Sequence, residues 1–278
     1  MKKIAVITGA SSGMGAEFAR QSARLKKYDE IWIIARREDK LKALEEEIHK
    51  DSYFNTVKTV CMDLSGKEGA LSYKSLLEKE NEELLKIESG IQIALLVNNA
   101  GFGTYGPFEE TSMIREMEMV DLNCTALTGI CSASLPFLAK DSVIINTASL
   151  ASYLPLGNFA VYGATKAYVL SFTMALAAEL KDKGIKVTAL CPGPVSTEFA
   201  NVASNGARQK VRHGLDSKKV VSHCLKKAFK GRKTAIYAFK WKFKAAASRF
   251  VGRYTGARFT YKYCKRPHNP DTDTQKID

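Results

Sequence analysis

The run Ile4-Ala5-Val6-Ile7-Thr8-Gly9-Ala10-Ser11-Ser12-Gly13-Met14-Gly15 sets the architecture. A short apolar, mostly β-branched segment enters a glycine-rich turn. Amphipathic spacing follows at once over Ala16–Lys26. A strand that turns sharply into a helix leaves the helix's first N–H groups free to face a phosphate. Glycines permit the turn and let the backbone approach the ligand closely. The spacing is G-x-x-x-G-x-G, not the G-x-G-x-x-G of other dinucleotide folds. A glycine turn alone serves structure as well as binding. Its place between a first strand and a helix favours binding.

Beyond this turn, the same alternation continues. Ile31–Ala35, Val57–Met62, Ile93–Asn98, Val143–Thr147 and Val187–Cys191 are apolar at nearly every position, as strands buried on both faces of a parallel sheet must be. Helical patterns lie between them at Asp39–His49, Glu68–Glu88, Thr111–Leu138 and Ala160–Lys183, the last ending against Gly184 as a C-cap. The β-α-β-α order predicts a single α/β domain with a doubly wound parallel sheet. Residues 1–206 form the dinucleotide-binding catalytic part, including the start of a substrate loop. Residues 207–266 form a basic, aromatic C-terminal extension, and 267–278 are expected to be a disordered tail.

Chemistry-bearing residues sit at the ends of these strands. The second strand ends Ala35-Arg36-Arg37, where NAD-specific folds place an acid to hold the adenosine ribose. A guanidinium there suits a 2′-phosphate, so NADP(H) is the expected cofactor. Asp63-Leu64 follows the third strand, and Asn98-Asn99-Ala100-Gly101 closes the fourth. In Tyr162-Gly163-Ala164-Thr165-Lys166, the two ends share one helix face, with Ser149 thirteen residues before the tyrosine. An ammonium beside a phenol favours the phenolate, which would make Tyr162 a proton donor and acceptor for a carbonyl oxygen. Ser149 would donate a hydrogen bond to that oxygen. Pro192-Gly193-Pro194-Val195-Ser196-Thr197 follows the sixth strand.

With these motifs in this order, residues 3–198 resemble the classical, NADP(H)-preferring type of the short-chain dehydrogenase/reductase family. The resemblance implies a Rossmann-like fold. It also implies an oxidoreductase that interconverts a ketone or aldehyde and an alcohol. It assigns Gly9, Ser11, Ser12, Gly13, Met14 and Gly15 to the pyrophosphate and Asp63 with Leu64 to the adenine. Asn99, Ala100 and Gly101 border the cofactor. Pro192 and Gly193 open the cofactor loop in which the Val195 backbone and the Thr197 hydroxyl fix the carboxamide. Lys166 also holds the ribose hydroxyls beside Tyr162, and Asn123 completes a Tyr/Lys/Ser/Asn tetrad by holding a relay water. Dimers or tetramers through the helices near 112–138 and 160–183 are implied as well. The rival reading is a non-catalytic NADP(H)-binding regulator or a membrane-surface scaffold, which has no use for Ser149, Tyr162 and Lys166 together.

The 278 residues are 45% hydrophobic, enough for one sizeable core. Six scattered cysteines include no C-x-x-C pair, and no metal site is expected. The apolar run after Met1 is too short for a secretory signal, so a cytoplasmic protein is expected, with peripheral contact at the inner membrane surface left open. Substrate-lining candidates are the segment Phe199–Gly214 with Phe102, Leu150, Leu154, Leu156 and Phe159. None of those five is cationic, so an apolar steroid- or fatty-acyl-type substrate is expected. Net charge is +13, yet residues 207–266 hold 19 Lys and Arg against the single acid Asp216. Written as one helix, Phe243, Ala247, Phe250, Val251 and Tyr254 share a face opposite Lys242, Arg249 and Arg253. Peripheral attachment to an anionic membrane, packing on the domain or a second subunit, and nucleic-acid binding all stay open for this segment. No nucleic-acid motif supports the last.

Overall fold

The computed structural model describes residues 1–52, 56–209, 211 and 213–271. Seven parallel strands form one sheet in the order β3-β2-β1-β4-β5-β6-β7. They are β1 (Lys2–Thr8), β2 (Glu30–Ala35), β3 (Val57–Cys61), β4 (Ile91–Asn98), β5 (Val143–Thr147), β6 (Lys186–Leu190) and β7 (Thr234–Ala235). The six strands read from sequence are present within two residues at each end. The two-residue β7 was not legible, because its pairing to β6 and not its own pattern makes it a strand.

Alternation along each strand splits the core into two layers. Ala5, Ile7, Ile31 and Ile33 face α1 (Gly13–Arg24), α2 (Glu38–Ser52) and α8 (Ser217–Phe229). Ile4, Val6, Trp32 and Ile34 face α3 (Gly66–Leu85), α5 (Leu127–Ser134) and α6 (Ala160–Glu179). Each fully buried branched side chain contributes about 1.5–3 kcal/mol. The order reverses between β1 and β4, which opens a crevice at their carboxyl ends.

The long helix expected over Thr111–Leu138 is four pieces. α4 (Met113–Val120) runs into a π-turn at Asp121–Ala126, then α5, then a 3-10 turn at Leu135–Phe137. Insertion of this wider turn re-aims Asn123 inward, where it is buried. The helix expected to reach Lys183 stops at Glu179. Gly184, at φ +71°, closes the following turn instead of capping the helix directly.

The C-terminal extension is not one amphipathic helix. α9 (Phe239–Ala247) and a 3-10 turn (Ser248–Phe250) are followed by Val251 in extended backbone and α10 (Arg253–Tyr263). The predicted apolar face is therefore divided, with Phe243, Phe250 and Tyr254 exposed. α7 (Phe199–Ala203) begins the segment read as flexible. Lys210 and Arg212 of that segment lie outside the described residues.

Disorder from Pro267 does not hold for residues 267–271. Asp271 accepts from the Ser112 amide at 2.9 Å and pairs with Arg115 at 2.9 Å, and His268 meets Glu110 at 2.8 Å. Charge partners on the α4 side, distant in sequence, hold this strap. The rest of the expected tail, 272–278, lies outside the described residues.

Candidate active site

Thr8 leaves β1 with its hydroxyl donating to Val97 O at 3.3 Å and accepting from the Asn99 and Ala100 amides at 3.0 and 3.1 Å. This ties the glycine turn to the end of β4. Gly9 and Gly13 adopt φ +64° and +56°, conformations that β-carbons disfavour. A β-carbon on Gly15 would fall 2.0 Å from Gly9 O. Gly15 therefore serves close packing of turn on helix and is not part of the cavity wall. The N-cap Ser12 makes no side-chain cap, so the first N–H groups of α1 keep their capacity for an anion.

Above the switch point lies a cavity of about 1350 Å³. Pockets for small ligands hold about 300–1,000 Å³, so this one has room for a dinucleotide and a substrate together. Every expected cofactor residue except Gly15 borders it, as do Ser149, Tyr162 and Lys166. At one end, Arg37 donates to Ser11 Oγ at 3.2 and 3.0 Å and pairs with Glu198 at 2.9 Å. Arg36 reaches Asp63 at 3.7 Å, and both stay exposed. Burial raises the Asp63 carboxyl, but the Ser65 hydroxyl and amide and the Arg36 charge outweigh it and hold the group below the ordinary range. The donor set fits a phosphorylated dinucleotide: free helix N–H groups, glycine backbone and a pair of guanidiniums.

The other end carries the candidate catalytic groups. Ser149 is the N-cap of a 3-10 turn (Leu150–Ser152); its Oγ accepts from the Ala151 amide at 3.1 Å, and its hydroxyl acts to lower the Tyr162 phenol. Tyr162 stacks on Phe159 with centroids 4.1 Å apart and leans on Phe199 at 5.4 Å. Lys166 lies one helical turn on, its Nζ 5.6 Å from the Tyr162 ring and 2.9 Å from Thr147 O. Burial pulls the lysine down to about 8.

The tyrosine departs from expectation. Burial pushes its phenol well above the ordinary range, and the hydrogen bond from Ser149 opposes this, helped by Arg266. The Lys166 ammonium lies beside the ring and is anchored on Thr147 O. The protein alone thus holds Tyr162 protonated.

Asn123, on the π-turn, is buried behind the cavity wall and does not line it. Its amide donates to Phe102 O at 2.9 Å and Thr165 Oγ1 at 3.1 Å, and its Oδ1 accepts from the Phe102 amide at 3.1 Å. It pins the Gly101–Phe102 bend, and a β-carbon on Gly101 would touch both Asn123 Oδ1 and Lys166 Nζ, at 2.6 and 3.4 Å. Asn98 bonds Asn146 at 2.9 Å within the sheet, a structural use.

Of the apolar candidates, Phe102, Leu150, Leu156 and Phe159 line the cavity, with Phe199, Val202 and Val211 from the following segment. Leu154 instead packs under α10 against Gly256. Beside these uncharged candidates, Arg115, Lys244 and Arg266 also line the cavity. Trp241 covers Gly193, where a β-carbon would come within 2.6 Å of the indole. Sequence reading missed these residues, because each arrives from an element remote in the chain. Among the described residues, no cluster of three or more His, Cys, Asp or Glu could hold a metal.

Comparison with known proteins agrees with this geometry. The family model described as short chain dehydrogenase matches residues 3–207. An uncharacterized oxidoreductase of Staphylococcus epidermidis is 30% identical, over 76% of this chain and 85% of its own length. Sulfoacetaldehyde reductase 2 of Chromohalobacter salexigens is 32% identical, over 74% of this chain and 78% of its own. A short-chain dehydrogenase of Sphingobium yanoikuyae, solved in complex with NADPH, superposes with a TM-score of 0.74 at 25% identity, over 98% and 99% of the two chains. The chain belongs to the short-chain dehydrogenase family, oxidoreductases that interconvert alcohols and carbonyl compounds.

Proposed function

We propose that this chain uses NADP(H) to interconvert a ketone or aldehyde, its carbonyl set in an apolar body, and the corresponding alcohol. The observation that carries the reading is the convergence of Ser149, Tyr162 and Lys166 on the cavity that the glycine turn also borders. When bound, the nicotinamide supplies or accepts the hydride. Tyr162, held protonated by burial, gives its proton to the developing alkoxide. Ser149 has its Oγ lone pair engaged by Ala151, so its own hydrogen is left for the phenol and for a carbonyl oxygen placed between them. Lys166, as ammonium, stabilises the phenolate left behind, and its position beside Gly101 suits the ribose hydroxyls. Asn123 holds the Gly101–Phe102 bend next to the lysine, the place for a relay water between Lys166 and solvent.

Arg36 and Arg37, with Ala35 in place of an acid, support NADP(H) over NAD(H). Removing one charge-assisted hydrogen bond costs about 1.5–3 kcal/mol, or roughly 10–100-fold. Steady-state turnover should therefore favour NADPH over NADH by that order, and Arg36→Ala with Arg37→Ala should erase the preference. Equal use of NADH by the wild type would remove the cofactor assignment.

We also infer that α9 and α10 rest on an anionic membrane at the cytoplasmic face. Phe239, Phe243, Phe250, Tyr254 and Phe259 are more than half exposed there, Phe250 by 92%, among Lys242, Arg249, Arg253 and Lys262. Two copies meeting through this face would set like charges together, whereas anionic lipid complements them.

A further inference from the structure

Arg266 is the feature that an apolar-substrate reading leaves unexplained. It follows α10, yet its guanidinium lies over Tyr105 at 5.3 Å and over Phe159 at 5.0 Å. Phe159 in turn stacks on Tyr162, so one aromatic ring separates this charge from the proton donor. The residue lines the cavity, and its Nη1 is buried with no hydrogen-bond partner. None of the ion pairs among the described residues includes it. The neighbouring acids are engaged elsewhere: Asp271 by Arg115 and the Ser112 amide, Glu110 by His268. Glu116 is held through one oxygen by Thr104, its other oxygen is buried without a partner, and burial raises its carboxyl toward the neutral form.

A guanidinium N–H without an acceptor costs free energy that an incoming acceptor returns, an anion most strongly. Stacking on two rings holds the planar fork in place without consuming its donors. The strap that follows fixes it further: His268 bonds Glu110, and Asp271 closes on α4. Such a pre-set fork matches a carboxylate, sulfonate or phosphate.

We propose that Arg266 is a substrate-recognition residue, and that the substrate couples an apolar body around its carbonyl to an anionic group close to that carbonyl. The claim rests on the oxidoreductase reading for its carbonyl, but not for its anion. Phe102, Leu156 and Phe199 take the body while Arg266 takes the charge. Specificity follows from burial, because a neutral analogue leaves the guanidinium unpaired.

The test uses the full chain loaded with NADP and the probe pair oxocyclohexanecarboxylate and its primary amide. Calorimetry reads binding, and NADPH consumption reads turnover. The carboxylate should bind at least about tenfold tighter than the amide. Arg266→Met should erase that difference, with the effect in KM for the carboxylate and much less in kcat, and Arg266→Lys should restore part of it. Equal binding of the pair by the wild type would overturn the proposal, as would a parallel weakening for both probes in Arg266→Met. Selective carboxylate binding without turnover would uphold the subsite and count against the oxidoreductase reading alone.

Discussion

Among single residues, the site combines a phenol kept protonated with a lysine kept near the point of losing its proton. Tyr162 is raised by burial and Lys166 is lowered by it to about 8, so the two move in opposite directions. The ammonium is the working form of Lys166. For ketone reduction, kcat/KM should therefore fall as pH rises through about 8, while Tyr162 itself remains protonated there. Lys166→Arg, at reduced overall rate, should move this limb to much higher pH. A profile flat through that range, or a limb unchanged in Lys166→Arg, would contradict the assignment. Tyr162, Lys166 and Ser149 were legible in sequence because a helix repeat and a strand end set their relation locally. Arg266 and Trp241 were not, since only the packing of the chain's last elements brings them over Phe159 and Gly193. The fate of the lysine's charge was likewise invisible, because it depends on the direction of one Nζ toward Thr147 O.

Among the helices and strands, the strands were readable because burial on both faces makes them apolar throughout. The interruption of the long helix was not, because nothing in Asp121-Leu122-Asn123 marks a π-turn by composition. Its cause lies in the contacts of Asn123 with Phe102 and Thr165, across from other elements. α4 and α6 also leave an apolar face outward: Met113 is 69% exposed and Met117 58%, with Val120 and Tyr168 exposed beside them. Met113, Met117 and Val120 recur at helical spacing on one side of α4. A second copy of the chain is the occupant we propose, in line with the oligomers this family forms. Light scattering should give a mass of two or four chains, and Met117→Glu with Tyr168→Glu should reduce it to one. A monomeric wild type would dismiss this face as an interface.

Across the molecule, charge and chemistry are segregated. The proposed catalytic groups gather at the carboxyl ends of the strands, and the cations gather on the extension that roofs the cavity. Vesicle sedimentation tests whether this roof meets a bilayer. Binding to phosphatidylcholine–phosphatidylglycerol vesicles should be strong at low salt and weaken as salt rises. Phosphatidylcholine alone should bind poorly, and Phe250→Ser with Tyr254→Ser should lower binding at least about tenfold. Equal binding to neutral and anionic vesicles, or to neither, would sink the membrane reading. Among the described residues no helix is long and apolar enough to cross a membrane.

Everything proposed for the site depends on Tyr162 transferring the proton in an NADPH-dependent carbonyl reduction. The decisive measurement is the fall of NADPH absorbance with a panel of ketones and aldehydes, for the wild type and Tyr162→Phe side by side, with cofactor binding measured on both. The wild type should turn over, and Tyr162→Phe should be slower by roughly 10²-fold or more, with cofactor affinity retained. Turnover by Tyr162→Phe close to that of the wild type would contradict this mechanism.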